Sequence, residues 1–311
     1  MKEKSLSVSG LVIGILFLFI GTNVISETEN VVIERCTTSG NNLVGNTLYV
    51  GGTGPNNYTK IQEAINDASD DDAVFVYSGT YYEQLVVDKT VNLIGENKYT
   101  TIVDGGGEND TVRIGTSAHG VTISGFTIQN SGDVGYGGHI DAGIDILSNN
   151  NVIFNNILIN HPQTGIYLYV SNGNNITNNI IQYTRSGIDF NSASENIISH
   201  NNFSYNSEWG VVVHVDGKSA NNIIAYNTFF GNTMGLALYH SSNRIYRNNF
   251  IKNSNFNAAS HFNPFRMTPS RNSWDENFWD DWRGFGPKHI PGFFGFNFDL
   301  HPAEEPYTFE V

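Results

Sequence analysis

A pair of asparagines with fixed spacing recurs through the middle of this 311-residue chain. The pattern is N-x-(I/V)-x-x-N-x-(I/F), and NNIIAYNTFFGN at residues 221–232 contains one copy. The two asparagines are always five residues apart, whereas the distance between copies varies from 21 to 26 residues. The copies begin at Asn150, Asn174, Asn196, Asn222 and Asn243. Self-similarity at this period is the signature of a solenoid, in which each repeat packs only on its neighbours.

A short alternating strand follows each of the first four copies, as in GIYL from Gly165 and GIDF from Gly187. Such strands cannot form a core alone, but stacked about 4.8 Å apart they enclose a continuous apolar interior. Each asparagine column then lies at a bend, where we expect left-handed backbone and amide–amide bonds between rungs. Leucine-rich repeats would need many leucines and a helix in every unit. The sequence therefore predicts an all-β right-handed parallel β-helix of eight to ten coils.

Both ends of an open β-helix need covering. TKIQEAINDA at residues 59–68 places apolar side chains on one helical face, and Thr59 with Gln62 resembles a capping box. After about Asn253 the composition shifts to Trp, Phe and Pro. We predict a β-helix with its N-terminal cap over 48–256 and an aromatic-rich C-terminal cap over 257–311. The aromatic residues expected to close the last rung are Trp274, Trp279, Trp282, Phe293, Phe294, Phe296 and Phe298.

The N-terminus has the layout of a secretory signal peptide. Lys2 and Lys4 precede an apolar run at residues 10–21, and small residues follow around Ser26. The run is short for a transmembrane helix, although an uncleaved anchor is the alternative. We predict a signal peptide over 1–26, an irregular segment over 27–47, no membrane span after cleavage, and a secreted or cell-surface protein. Cys36 is the single cysteine, so no intramolecular disulfide forms.

The charge balance narrows the range of partners. Thirty acidic residues against sixteen basic ones give a net charge of −14. A chain this acidic repels phosphate backbones, which excludes nucleic acid as the expected partner. We expect a monomer.

From about Leu48 onward the chain resembles the NosD-like and related carbohydrate-binding and sugar-hydrolase β-helix proteins. The likeness is carried by the repeat, best seen in NIISHNNFSYNSEWGVVV at residues 196–213. Residues 58–97 are similar to the N-terminal cap that these proteins share with pectinesterases. NSWDENFWDDW at residues 272–282 is similar to the ending of secreted prokaryotic, particularly archaeal, members. The resemblance implies a general association with carbohydrate, and its name-giving members assist copper delivery to nitrous oxide reductase.

The repeat register predicts a polar patch over the middle coils. Two residues after each turn glycine the side chain should point outward. That column reads Asp145, Tyr167, Asp189, Val212 and Ala237, and the column two residues before the glycine reads Asp141, Gln163, Arg185, Glu208 and Thr233. His139 and His161 lie at the border of this patch. We expect Tyr167, Asp141, His161 and Glu208 to contact a ligand.

A catalytic interpretation of the same patch remains open. Asp145 and Asp189 would lie two rungs, or roughly 9–10 Å, apart along the helix. That separation approaches the one expected of an inverting glycosidase, with one carboxyl as acid and the other as base. Tyr167 would then be a sugar platform, and Arg185 would bind a uronate. Outward acidic columns are also common on solvated sheets, and the aspartate, histidine and Gly-x-Arg set of polygalacturonase-like families is not found.

Metal sites are not expected, and no cofactor is predicted. The run at residues 70–72, and Asp104 with Glu108 and Asp110, could offer oxygen ligands to Ca²⁺, but neither matches a defined calcium loop. Copper delivery would favour clustered Cys, Met or His, whereas Cys36, Met234 and Met267 are far apart and His200, His214 and His240 fall on separate coils.

Three functions follow, in order of preference. The first is an exported module of the cell envelope or extracellular space that binds polysaccharide or surface glycan. The second is a polysaccharide-active hydrolase or lyase that uses Asp145, Asp189 and Arg185. The third is a NosD-like accessory protein for a copper site.

Overall fold

A computed structural model describes residues 45–135, 140–214, 218–240, 242–261, 272–292 and 297–309. The predicted signal peptide over 1–26, nearly all of the segment over 27–47, and Cys36 lie outside the described residues. His139, Met267, Phe293, Phe294 and Phe296 also lie outside them.

The described chain is a right-handed parallel β-helix of about ten turns, which confirms the predicted fold class. Here one turn of the helix is called a rung. Each rung contributes short strands to three sheets, here named A, B and C, and equivalent strands of successive rungs pair in parallel. No helix among the described residues is long and apolar enough to cross a bilayer.

In each of the following lists, strands that stand next to each other are hydrogen-bonded neighbours in the sheet. Sheet A contains Thr47–Val50, Ala73–Val76, Asn92–Gly95, Thr122–Ser124, Val152–Phe154, Asn175–Thr177, Ile197–Ser199, Ile223–Ala225, Arg244–Tyr246, Ser273–Asp275, Asn297–Asp299 and Lys288–Ile290. Sheet B contains Gly79–Tyr82, Thr101–Asp104, Thr127–Gln129, Ile157–Ile159, Ile180–Gln182, Asn202–Ser204, Thr228–Phe230, Asn249–Ile251 and Phe278–Trp279. Sheet C contains Leu85–Val87, Val112–Ile114, Ala142–Ile146, Thr164–Tyr169, Ser186–Asn191, Trp209–Val213, Met234–Leu238 and Phe256–Ser260.

The interior is filled by identical or similar side chains stacked on one another. From sheet B, Phe203, Phe229, Phe250 and Trp279 stack with ring centroids 5.1, 4.8 and 4.3 Å apart. Sheet A contributes a column of fully buried isoleucines at 153, 176, 198, 224 and 245. Because strands of three residues bury little area each, this continuity from rung to rung is what supplies the core.

Two ladders of buried asparagines flank sheet A, as predicted. In each ladder the Oδ1 atom accepts bonds from the backbone N–H and the Nδ2 of the asparagine one rung before, at 2.8–3.2 Å. The first ladder contains Asn151, Asn174, Asn196, Asn222, Asn243, Asn272 and Asn297. The second contains Asn156, Asn179, Asn201, Asn227, Asn248, Asn277 and finally Asp299.

The first copy of the repeat was assigned one residue too early. Its ladder residues are Asn151 and Asn156 rather than Asn150 and Asn155. Adjacent asparagines allow both registers, but the pattern matches only the earlier one, because the later one places Leu158 where the pattern requires Ile or Phe. Asn150 and Asn155 instead adopt the left-handed backbone, with φ of 62° and 54°. The left-handed residue is thus the one before the ladder asparagine, which corrects the expectation that the ladder residue itself takes that conformation.

The repeat continues beyond Asn253. Asn272 and Asn277 join the two ladders, and Trp274 and Trp279 occupy the core positions that Ile and Phe fill elsewhere. Both tryptophans are buried. The sequence pattern missed this rung because it allowed only aliphatic residues or phenylalanine at the core positions.

The N-terminal helix spans Ile61–Asp67 and buries Ile61, Ala64 and Ile65 over the first rungs. The expected capping box does not form, since the N-cap residue is Lys60 and makes no side-chain cap bond. The Glu83 carboxylate, which follows the helix later in the chain, accepts bonds from the N–H groups of Ile61 and Gln62 at 2.8 and 3.0 Å. A carboxylate at this end also matches the positive pole of the helix.

Candidate functional site

Asp145, Tyr167 and Asp189 lie side by side on sheet C, in the register that the sequence predicted. Asp145 stands between the core residues Ile144 and Ile146, so its side chain leaves the opposite face of the strand. The three residues are nevertheless only 1%, 3% and 3% exposed. The three side chains leave the outer face as predicted, but the expectation that they are accessible was wrong, because all three are buried.

The Asp145 carboxyl is a much weaker acid than an exposed aspartate. Burial raises its pKa from 3.8 to about 7, the nearby Asp110 carboxylate adds to the increase, and Arg113 opposes it. The Arg113 guanidinium is 3.9 Å from Oδ2 of Asp145, too far for a tight ion pair. Oδ1 of Asp145 accepts no hydrogen bond from the described residues.

Asp189 has a closer partner in His214, whose Nε2 lies 2.9 Å from Oδ2. Burial raises the pKa of Asp189, and the contacts with His214 and the charge of Arg185 oppose that rise. Tyr167 lies between the two aspartates and accepts a bond from the Asn191 amide at 3.3 Å. Burial and the neighbouring Asp189 raise the pKa of Tyr167, so its phenol stays protonated.

The second predicted column forms a connected polar chain on the outside of the helix. Gln163 donates to Asp133 at 2.7 Å, and Arg185 donates to Gln163 at 3.0 Å. Arg185 also forms an ion pair with Glu208 at 3.0 Å, and both side chains are more than 40% exposed. Its guanidinium lies over the Trp209 ring, 5.7 Å from the centroid.

Asp141, from the same column, does not reach that chain. It is 2% exposed, and its Oδ2 accepts a bond from the Val134 N–H at 2.9 Å. Its carboxylate orders the loop that precedes the strand. Of the three candidate site residues in this column, Arg185 and Glu208 remain accessible to a ligand and Asp141 does not.

His161 occupies a ladder position rather than a place at the border of the patch. It begins a third buried column, followed by Thr184, Asn206, Asn232 and Asn253, each five residues after a member of the second ladder. Its Nδ1 accepts from the Ser131 N–H at 3.2 Å, and its Nε2 donates to the Ile128 carbonyl at 3.0 Å. Asn206 uses its amide in the same two ways.

The imidazole therefore replaces a carboxamide. Burial lowers the pKa of His161 from 6.5 to about 4, which keeps it neutral. At 1% exposure it does not touch a ligand from solvent, which corrects the expectation that it belongs to a binding surface.

Two tyrosines that the sequence analysis missed lie directly beside Arg185. Tyr183 and Tyr205 precede the third-column residues on neighbouring rungs and adopt left-handed backbone with φ of 55° and 56°. Their rings stack with centroids 5.6 Å apart and planes within 7°, and they are 53% and 49% exposed. The spacing to the ladder asparagines was the signal that could have found them.

These rings border an open groove of about 380 Å³, which Asn160, Pro162, Arg185 and Ser207 also line. The far face of Tyr205 is covered, because its ring packs on Gly231 of the next rung. On the rung before Tyr183 the equivalent left-handed residue is the small Asn160. The aromatic stack therefore ends at Tyr183, whose free face forms a wall of the groove.

The described residues contain no group of three His, Cys, Asp or Glu side chains that could hold a metal ion. The acidic stretches proposed for Ca²⁺ bind their own chain instead. Asp72 accepts from the N–H groups of Asn46 and Ser69, and Asp104 accepts from Gly106, Gln129 and Asn130.

Comparison with protein families gives a match to the right-handed β-helix region over residues 110–277, which is more than half of the chain. This chain belongs to the right-handed β-helix family. No curated protein sequence matches it.

Among solved structures, the β-helix is similar to an alginate lyase from Paenibacillus sp. str. FPU-7, with a TM-score of 0.59 and 14% identity over 76% of this chain and 88% of that one. The catalytic domain of a GH87 α-1,3-glucanase in complex with nigerose gives 0.56 and 15% over 78% of this chain and 47% of that one. Pectin methylesterase PemA from Erwinia chrysanthemi gives 0.55 and 11% over 79% and 92%. At these identities the likeness concerns the fold alone.

Proposed function

We propose that this protein binds polysaccharide or surface glycan through the groove beside the Tyr183–Tyr205 stack. The observation that carries the proposal is the free face of Tyr183 next to an exposed Arg185–Glu208 pair. A flat aromatic face accepts the C–H face of a sugar ring, while the charged rim offers donors and acceptors to its hydroxyls. The named neighbours with this fold act on alginate, α-1,3-glucan and pectin, which is consistent with a glycan ligand.

The groove favours binding over bond cleavage. A general acid must come within about 3 Å of the glycosidic oxygen that it protonates. Asp145 and Asp189 are 1% and 3% exposed, so a polymer lying on the surface does not reach them. Arg185 and Glu208 are accessible, and their ion pair holds both side chains in place. Such a pair can orient a bound sugar through hydrogen bonds.

Affinity electrophoresis tests the proposal and identifies the ligand class. The mature protein is run through native gels cast with alginate, pectin or carboxymethylated α-1,3-glucan, and each gel is then stained for intact polymer. We expect retarded migration in at least one gel without clearing of the polymer. Tyr183→Ala should abolish the retardation, and the control Tyr82→Ala should not. Tyr82 is 77% exposed and is distant in sequence from the groove. Unretarded wild-type protein in every gel would refute the proposal.

A polysaccharide-active hydrolase or lyase is the second candidate, and one observation favours it. The pKa of Asp145 is raised to about 7, so this carboxyl keeps its proton to a higher pH than an ordinary aspartate, as a general acid must. Asp189 with its His214 partner lies two rungs away. Cleared zones under the wild-type band that disappear in both Asp145→Asn and Asp189→Asn would establish this function in place of simple binding.

The location follows from the predicted signal peptide. We place the protein in the cell envelope or the extracellular space, as a monomer. A NosD-like role is the third candidate of the sequence analysis, and no metal-ligating group among the described residues supports it.

A further inference from the structure

A second open pocket lies at the C-terminal end of the β-helix, several rungs from the Tyr183 groove. Its volume is about 830 Å³, within the range of roughly 300–1,000 Å³ found for small-molecule sites. Its lining includes three aromatic side chains, Phe256, Trp282 and Phe285, here called the walls, and a hydrogen-bonded polar group of Asn257, Asp280 and Asp281, here called the floor. The basic residues Arg283, Lys288 and His289 also line it.

The polar floor is held in a fixed geometry by the end of the third ladder. Asn253 donates to Oδ1 of Asn257 at 2.9 Å, and the Asn257 amide donates to Asp280 and Asp281 at 2.8 and 3.0 Å. Lys288 pairs with the other oxygen of Asp281 at 2.6 Å. Each carboxylate oxygen has a second acceptor site beyond these bonds, so the floor can still accept hydrogen bonds from a ligand.

Phe285 is hardly packed against the part of the chain that the structure describes. It is 93% exposed, and it lies between Gly284 and Gly286, which adopt left-handed backbone with φ of 74° and 68°. A large apolar side chain held out in water at the mouth of a cavity loses hydrophobic free energy unless something covers it. The flanking glycines give the loop the backbone freedom to bring this ring over the pocket.

We propose that this pocket is a second glycan site, which takes a neutral sugar between the aromatic walls and the carboxylate floor. Sugar hydroxyls donate to Asp280 and Asp281, and the C–H faces of the ring pack on Trp282 and Phe285. The charges of Asp280 and Asp281 balance those of Arg283 and Lys288, so the lining has no net positive charge that would favour an anionic sugar. With the groove at Tyr183, the β-helix then carries two glycan sites and can bridge two polysaccharide chains. The pocket is independent of the groove, so either site can bind without the other.

Tryptophan fluorescence separates the two sites. The chain has four tryptophans, and Trp274 and Trp279 are buried, which leaves Trp209 beside the groove and Trp282 in the pocket as reporters. The Trp209→Phe protein is titrated with cellohexaose, laminarihexaose and maltohexaose. We expect a saturable emission change with at least one hexasaccharide. The affinity for that hexasaccharide should fall at least tenfold when Phe285→Ala or Asp281→Asn is added to the Trp209→Phe protein. The emission change should persist when Tyr183→Ala or the control Tyr82→Ala is added instead.

Three results would overturn the inference. The first is the absence of any change with all three hexasaccharides. The second is a change that survives Phe285→Ala, whose nearly complete exposure means that its removal leaves the fold intact. The third is a change produced by calcium chloride alone, which would make the pocket a cation site.

Discussion

Single residues in this β-helix have roles that depend on which rung and which column they occupy. The predicted residue types at Asp145, Tyr167 and Asp189 were in the correct register, yet their burial was not predictable from the repeat. Alternation within a strand predicts the face of the sheet on which a side chain lies. It does not predict whether that face is exposed to solvent, because this depends on segments that are distant in the sequence.

Asp145→Asn should stabilise the protein at alkaline pH. Burial raises the folded pKa of Asp145 from 3.8 to about 7, so the folded state binds the proton more tightly than the unfolded state. The stability of the wild type therefore falls as the pH rises from about 4 through 7. The asparagine variant lacks this loss, so thermal unfolding at pH 8 should show a gain on the order of 3 kcal/mol. Equal melting temperatures of the two proteins at pH 8 would contradict the raised pKa of Asp145.

His161→Asn should be tolerated, whereas His161→Ala should not. The alanine leaves the Ser131 N–H and the Ile128 carbonyl without their partner, at a cost of about 2–3 kcal/mol. His161 has its folded pKa lowered to about 4, so wild-type stability falls as the pH drops from 6.5 toward 4. Urea unfolding at pH 7 and pH 5 should show a smaller pH effect in His161→Asn, by roughly 2 kcal/mol. The exposed His289→Asn serves as the control.

At the scale of the element, the asparagine ladders define the register of the whole helix. The sequence predicted the ladders and the parallel sheets, because the five-residue spacing repeats unchanged. It missed the register of the first copy because the pattern required Ile or Phe where the correct register has Leu158. The buried Ile153 and Leu158 and the bonds of Asn151 and Asn156 decide the register. It also missed Glu83 as the helix cap, since a cap supplied from 22 residues away leaves no local signal.

Asn155 and Asn156 give a matched pair that tests the corrected register. Asn155 is exposed in a left-handed conformation, so Asn155→Gly should change the free energy of unfolding by less than about 0.5 kcal/mol. Asn156 is buried and bonded to Asn179, Ile123 and Phe154, so Asn156→Gly should cost roughly 3 kcal/mol or more. Chemical denaturation of both variants is the measurement. A larger loss at residue 155 would restore the original assignment.

At the scale of the molecule, stacked cores and ladders produce a β-helix whose outer surface can carry binding sites. The fold could be predicted because every rung repeats the same pattern, whereas the candidate groove could not, because Tyr183 and Tyr205 occupy a position where neighbouring rungs have Asn160 and Gly231. The repeat pattern identifies the residues that all rungs share, but not those in which individual rungs differ. One fold supports many activities, so the exceptions to the pattern are where function is to be sought.

The most direct test of the glycan-binding account is calorimetric titration of the mature protein with a polymer that retards it in gels. Wild type, Tyr183→Ala and Tyr82→Ala are compared at the same pH and salt. The account predicts that Tyr183→Ala weakens binding at least tenfold, a loss of about 1.4 kcal/mol, while Tyr82→Ala binds as the wild type does. Equal affinities for all three proteins would show that the groove beside Tyr183 is not where the glycan binds.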